Sequence, residues 1–207
     1  SKYKKLIDII SEKNEVHNLE DIFDFKRGIL ISTNFYVEEK TTKPYIRIKE
    51  LSEKGRIDES KIIYIKENYP ENKVNELKEN DLVIAIIGDT IGKTNIINKK
   101  LAKGYCSNNT GRLRIKKEWE NKVLPEYNEL LFQSVFIQSQ VEKKKAQTGQ
   151  PKISDGEIKS ISIPILSIET QQKIAELVQK SHEARKKSRE LLEEAKQKVE
   201  EMIENSH

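Results

Sequence analysis

Cysteine occurs once in the 207 residues, at Cys106, so no disulfide can form within the chain and a reducing compartment is expected. No His or Asn can be assigned as a base for that thiol, so it reads as a packed small residue rather than a nucleophile. The three histidines, His17, His182 and His207, are scattered, and no spacing matches a metal-ligand set. Neither metal nor cofactor is therefore expected. No run approaches the roughly 18 apolar residues of a membrane span, and no secretory leader opens the chain. A soluble, cytoplasmic protein without a membrane partner is expected. Methionine occurs only at Met202 and residue 1 is Ser, which points to a piece of a longer protein.

Catalytic motifs are equally scarce. Gly88-Asp89-Thr90-Ile91-Gly92-Lys93-Thr94 follows an apolar run and resembles a phosphate-binding loop, but three residues separate its glycines where four are required. The following Asn95-Ile96-Ile97-Asn98 is β-like, so no helix amino terminus would face a phosphate there. The segment reads as a tight strand turn. No glycine-rich methyltransferase loop and no Asn-Pro-Pro-Tyr motif occurs, and Asn68-Tyr69-Pro70 does not replace one. The chain is expected to be a recognition module and not an enzyme.

Charge is plentiful and unevenly placed. Residues 1–166 hold 30 Lys/Arg against 25 Asp/Glu. Within 88–117, Lys93, Lys99, Lys100, Lys103, Arg112, Arg114, Lys116 and Lys117 face only Asp89. Such a window can neutralise phosphates and release counterions, the main source of nucleic-acid affinity. A solvated lysine-rich face would look the same in sequence.

Apolar periodicity gives an α+β body, with a mixed sheet, followed by one long helix. Helix and turn are predicted over residues 2–25. Strands are predicted at Tyr45–Leu51, Ile62–Ile65, Leu82–Ile87, Thr94–Asn98 and Arg112–Lys116. The Leu82–Ile87 run is apolar throughout, the mark of a strand buried on both faces. In Arg112–Lys116 charge alternates with Leu113 and Ile115, which predicts one wet, cationic face. Helix resumes at Pro125, a good first-turn residue, and runs out at Lys143-Lys144-Lys145, cations that complement a helix carboxyl end. Ser154-Asp155-Gly156-Glu157 fits a capping box opening a short helix before a strand at Ile161–Leu166.

From about Ser167 to Ile203 the chain reads as a single helix, roughly 50 Å long. Ile174, Ser181, Ser188, Ala195 and Met202 recur every seven residues, with Leu177, Ala184, Leu191 and Lys198 three after each, and Val178, Leu192 and Val199 widen the stripe. This is a helix-packing seam, longer than the chain's own core needs, and its partner is expected to lie outside the body. Ile174, Leu177, Val178, Ala184, Leu191, Leu192, Ala195, Val199 and Met202 are the candidate pairing residues. The expected division is a recognition domain over 1–166 and a spacer and dimerisation helix over 167–207.

Two polar loops carry side chains suited to reading bases. Asn bonds adenine bidentately in the major groove, while Lys and Arg hold phosphate or guanine. Ser107, Asn108, Asn109 and Thr110 form one loop; Gln147, Thr148, Gln150 and Lys152 form the other. Turn chemistry alone also favours such residues. Arg27, Lys93, Arg112 and Lys152 are the candidates for phosphate or base contact. Thr90, Asn95, Asn108, Asn109, Thr110, Gln147, Thr148 and Gln150 are the candidate readers.

In order along the chain, Lys26-Arg27-Gly28 after Ile22-Phe23-Asp24, the 81–93 segment, Thr148-Gly149-Gln150-Pro151-Lys152-Ile153-Ser154, Ile163-Pro164-Ile165 and Gln171-Gln172-Lys173-Ile174 resemble the DNA specificity subunit of type I restriction–modification systems. The resemblance covers one half-repeat, from about residue 15 to 203. It implies a target-recognition domain that reads one half of a bipartite site in double-stranded DNA. The long helix would set the distance to the other half and dock DNA methyltransferase subunits; a complete system can add a restriction subunit. Family members usually carry two such domains and two long helices in an antiparallel coiled coil. This sequence has one of each, so a homodimer or a second half elsewhere is implied. Lys152 is more basic than is usual at its position. Two other readings stay open: a protein-interaction scaffold built on the helix, and a methyltransferase fragment.

Overall fold

The computed structural model describes residues 9–10, 12–52, 55–145 and 151–205. In chain order its elements are β1 (Glu15–Asn18), a single turn α1 (Leu19–Ile22), β2 (Phe23–Arg27), β3 (Tyr36–Val37), β4 (Lys43–Ile46), β5 (Ile63–Ile65), β6 (Leu82–Ala85), β7 (Thr94–Ile96), β8 (Tyr105–Cys106) and β9 (Thr110–Ile115). The helices α2 (Pro125–Leu131), α3 (Val135–Lys144) and α4 (Asp155–Lys159), the strand β10 (Ser162–Ile165) and the long helix α5 (Ile168–Glu204) follow.

The body is laid around β6. It sits inside an antiparallel sheet ordered β2–β9–β6–β7, and all four of its residues are buried. Because successive strand side chains point to opposite faces, one apolar run supplies two cores. Leu82, Ile84 and Ile86 pack with Phe23, Leu113, Phe132 and the inner faces of α2 and α3, including Leu131 and Ile137. Val83 and Ala85 pack instead with Ile46, Leu77, Leu101 and Cys106, beneath a second sheet. That second sheet is ordered β3–β5–β4–β8, with β4 and β8 parallel and the other pairs antiparallel. Tyr45, Tyr105, Ile31 and Ile65 fill a third, smaller core.

The strand predicted at Tyr45–Leu51 ends early. Glu50, fully buried, accepts the Arg47 backbone N–H at 2.7 Å and the Arg47 guanidinium at 2.6 Å. This folds residues 48–50 into a 3₁₀ turn. The alternation read from sequence was real, but a side chain recaptured the backbone donor that a strand would have used. The capping box forms as expected: Ser154 Oγ accepts the Glu157 N–H at 3.2 Å, and Glu157 accepts the Ser154 N–H at 2.8 Å.

Both ends of the body meet at one place. β1 pairs antiparallel with β10, and the Leu19 N–H donates to the Ile161 carbonyl at 2.7 Å. The chain then enters α5, whose Ser167 cap accepts the Thr170 N–H. Gln171, with no exposed surface, locks the first turn in place. Its Oε1 accepts the Leu124 N–H at 2.9 Å, and its Nε2 donates to the Lys122 and Leu166 carbonyls at 2.9 and 2.8 Å. A second tie comes from Glu129 on α2, almost fully buried, which accepts from His182 Nε2 at 3.1 Å. Arg56 bonds the other nitrogen of that imidazole and lies 3.7 Å from the Glu129 carboxylate.

The 37 residues of α5 span about 55 Å. Gln171, Ala175 and Val178 are buried and Ile174 packs on the body core, whereas residues 183–204 are exposed throughout. The sequence seam therefore divides. Ile174 and Val178, expected to pair with another helix, face the chain's own core. Leu177, Leu191, Leu192, Val199 and Met202 are more than half exposed, and Ala184 and Ala195 lie on the same projecting stretch.

Gln171→Ala would leave one N–H and two carbonyls, all partly buried, without their side-chain partner, each costing about 1 kcal/mol. The variant should lose about 3 kcal/mol of stability in urea unfolding, and an unchanged midpoint would show that the helix root does not depend on this side chain.

Candidate nucleic-acid interface

The sheet topology gathers loops at one edge. β2 and β6 end there and β7 and β9 begin there, as their antiparallel registers require. Arg27, the β6–β7 hairpin and the Ser107–Asn109 turn are thus neighbours. Cross-loop backbone bonds hold them: Gly28 N–H to the Thr110 carbonyl at 2.9 Å, and Ile86 N–H to the Asn109 carbonyl at 3.1 Å. Lys152 joins them because it bridges to Ile87, with Gly88 N–H donating to the Pro151 carbonyl at 2.9 Å.

The hairpin tip needs its second glycine. Gly92 has φ +86°, and a Cβ there would come within 2.8 Å of Val141 on α3. Its carbonyl accepts Gln138 Nε2 at 2.9 Å, so the turn carrying Thr90 and Lys93 is braced on a helix. Arg27 pairs with Asp155 at 2.6 Å, both about half exposed. A pair so exposed is worth under about 1 kcal/mol, which lets the guanidinium exchange the carboxylate for a phosphate.

Arg27, Thr90, Lys93, Asn108, Asn109 and Lys152 are brought to this edge. Three other candidates are not available to a ligand. Asn95 is 1% exposed: it accepts the Ser52 N–H at 2.7 Å and donates to the Ser52 and Thr94 carbonyls. Thr110 has no exposed surface and donates to the Ser107 carbonyl at 2.7 Å. Arg112 is 2% exposed, with Nη2 donating to Asp24 at 2.7 Å and its other two nitrogens without partners. The physical reason is shared. β9 lies between β2 and β6, and both of its faces are covered, so the predicted cationic face does not exist. Arg114 likewise forms a two-point pair with buried Asp81, at 2.8 and 2.7 Å. Gln147, Thr148 and Gln150 lie outside the described residues.

The basic window is thereby dispersed. Lys99, Lys100 and Lys103 follow β7, and Lys116 and Lys117 follow β9, so these five stand at the opposite edge from Lys93. Cations from elsewhere take their place. The Ser107 N–H donates to the Ile46 carbonyl at 2.8 Å, and this pairing of β8 with β4 delivers Arg47 and Lys49 to the edge. Sequence reasoning passed over both because they fell within the strand predicted at Tyr45–Leu51, outside the basic window. The two cations flanking Ile48 were the available signal.

Among the described residues the edge shows no assembled catalytic group. Burial pushes the Cys106 thiol up to about 11, far from a reactive thiolate. Among the described residues no group of three His, Cys, Asp or Glu could hold a metal ion, and no helix is long and apolar enough to cross a membrane.

The family profile of the type I restriction modification DNA specificity domain matches residues 11–198. The chain belongs to that family. Its members are recognition modules rather than catalysts. Among solved structures, the fold is similar to the type I restriction–modification S subunit from M. genitalium, at a TM-score of 0.56 and 15% identity, covering 79% of this chain and 37% of that one. It is also similar to the HsdS subunit from Thermoanaerobacter tengcongensis, at a TM-score of 0.58 and 15% identity, covering 90% and 45%. The type IIG restriction endonuclease BpuSI aligns at a TM-score of 0.59 and 14% identity, covering 86% and 28%. The chain thus spans less than half the length of each of these proteins, and at such identity the likeness concerns the fold. No curated protein sequence matches the chain.

The Cys106 thiol makes stability depend on alkaline pH. Unfolded, it ionises near about 8.5; folded, it holds its proton to about 11. The bound proton stabilises the fold below the lower value, and that contribution is lost as pH rises through the higher one. Urea midpoints should therefore fall more steeply from pH 8.5 to 11 for the parent chain than for Cys106→Ala, by an amount on the order of 2 kcal/mol. Parallel slopes would contradict the burial argument.

Proposed function

We propose that this chain reads one half of a bipartite site in double-stranded DNA, as the recognition part of a type I restriction–modification assembly. The observation that carries this is the convergence of Arg27, Arg47, Lys49, Lys93 and Lys152 with the exposed amides of Asn108 and Asn109 on one sheet edge. Cations place the backbone, and amides with two-point donor–acceptor geometry discriminate bases. Family membership supports the same reading.

In this reading residues 1–166 form the recognition domain and 167–207 the spacer. Residues 183–204 project about 33 Å beyond the body, with Leu191, Leu192, Val199 and Met202 exposed. A second helix lying on that stripe, from another copy or another half, sets the distance between half-sites. Methyltransferase subunits dock on the paired helices, and any methyl transfer or cleavage belongs to them or to a fused domain.

Binding measured against salt tests this. Each phosphate contact contributes about 0.9 to the slope of log affinity against log salt. Lys152→Ala should weaken binding to all sequences and lower that slope by about one. Arg112→Met should leave the slope unchanged and shift stability by no more than about 1 kcal/mol, since its partner Asp24 is half exposed and resolvates. Salt-insensitive self-association with no affinity for DNA would favour the scaffold reading instead.

A further inference from the structure

Between the 28–30 loop, the 47–49 turn and the 107–109 turn lies a cleft of about 360 Å³. Its chemistry is unusual for a solvated loop junction. Leu30 stands at its rim, 77% exposed, beside the cations Arg47 and Lys49. Buried Glu50 grips Arg47 through Nε and Nη2, so the guanidinium is held in one orientation before any ligand arrives. Ser107 lines the same cleft at 6% exposure, and its hydroxyl has no hydrogen-bond partner. Asn108 and Asn109 complete the wall with exposed side chains.

An exposed leucine on a cationic edge gains nothing from phosphate or solvent, and contact with another apolar group is what favours it there. One ligand offers the whole combination. In the major groove an A·T pair presents the adenine N7 acceptor and N6 donor, which match an Asn amide, and the thymine 5-methyl group, which matches an apolar side chain. A G·C pair presents no methyl.

Resting on the DNA-recognition reading above, we propose that this cleft is a specificity-determining site that selects an A·T pair. Asn108 or Asn109 bonds the adenine edge. Leu30 covers the thymine methyl. Lys49 holds a flanking phosphate, with the oriented guanidinium of Arg47 beside it.

The test combines selection with a single-atom-group change in the DNA. Random-oligonucleotide selection with the full chain defines the preferred half-site, and each thymine in it is then replaced in turn by deoxyuridine, which lacks only the methyl. At one A·T pair the replacement should weaken binding about 4-fold, the value of one buried methyl group. Leu30→Ala should bind the thymine site about that much more weakly and show no further loss with deoxyuridine. The Asn108→Ala/Asn109→Ala double variant should lose at least about 5-fold of its preference at the same or a neighbouring pair. Circular dichroism and melting of each variant separate these effects from misfolding, which exposed positions should not cause. Selection that succeeds while no thymine is methyl-sensitive, or Leu30→Ala that keeps the sensitivity, overturns the A·T assignment and leaves DNA recognition standing. Failure to enrich any sequence at low salt overturns the recognition reading itself.

Discussion

The double burial of β6 governs the rest of the architecture. A strand covered on both faces leaves polar chemistry nowhere to go except the ends of the sheet. Leu82, Ile84 and Ile86 close one core, Val83 and Ala85 the other, and the neighbouring strand β9 is enclosed with them. The loops at one end are then tied together chiefly by backbone hydrogen bonds, with Gln138 bracing the hairpin. That arrangement keeps the cations and amides of the edge in a fixed pattern. Rigid placement matters for recognition, because an interface that must be ordered on binding loses part of its affinity to that ordering.

The same enclosure decides which charges are surface and which are structure. Arg112 and Arg114 belong by sequence to a basic window, yet one lies against Asp24 and the other grips buried Asp81 in a two-point pair. Buried cations retained with acidic partners contribute little net stability compared with apolar side chains of similar volume. Their positive charge is also cancelled locally, as is most of that of Arg47 on buried Glu50, so the electrostatic face of the protein is assembled from Arg27, Lys49, Lys93 and Lys152, drawn from segments as far apart as 27 and 152. A charge count along the chain has no access to that, since strand pairing alone decides which segments share an edge.

Features set by neighbours in sequence were legible. The both-face-buried strand, the Ser154–Glu157 capping box and the long helix are encoded within a few residues, and the helix runs at Ile168–Glu204 against an expected 167–203. Those that failed depend on partners far along the chain. Asn95 reads as a polar strand residue free to contact a base until Ser52 supplies its hydrogen bonds. Thr110 looks like part of an exposed loop until β9 takes it inside. Tyr45–Leu51 is the local exception: it alternates like a strand until Glu50, three residues on, captures Arg47. Ile174 and Val178 fit the heptad as well as Leu191 does; only α2, lying against the first turns of α5, shows that they serve the body.

The root of α5 joins these two regions mechanically. Gln171 bonds three backbone groups from the 122–124 and 166 segments, while Glu129, Arg56 and His182 form a second tie about three turns further along. Two attachment points separated along an axis define a direction, whereas one would leave a pivot. Arg56 also bridges to Ile96 on β7, so the second tie reaches the sheet whose edge carries the cations. The projecting helix is therefore aimed by the same framework that orients the loops. A helix aimed in this way can transmit a fixed spacing to whatever pairs with its exposed stripe, since a stiff helix of about 33 Å bends little over that length. For the proposed spacer role length alone would not suffice; the anchorage of α5 to the β-sheet body supplies the fixed direction that role requires.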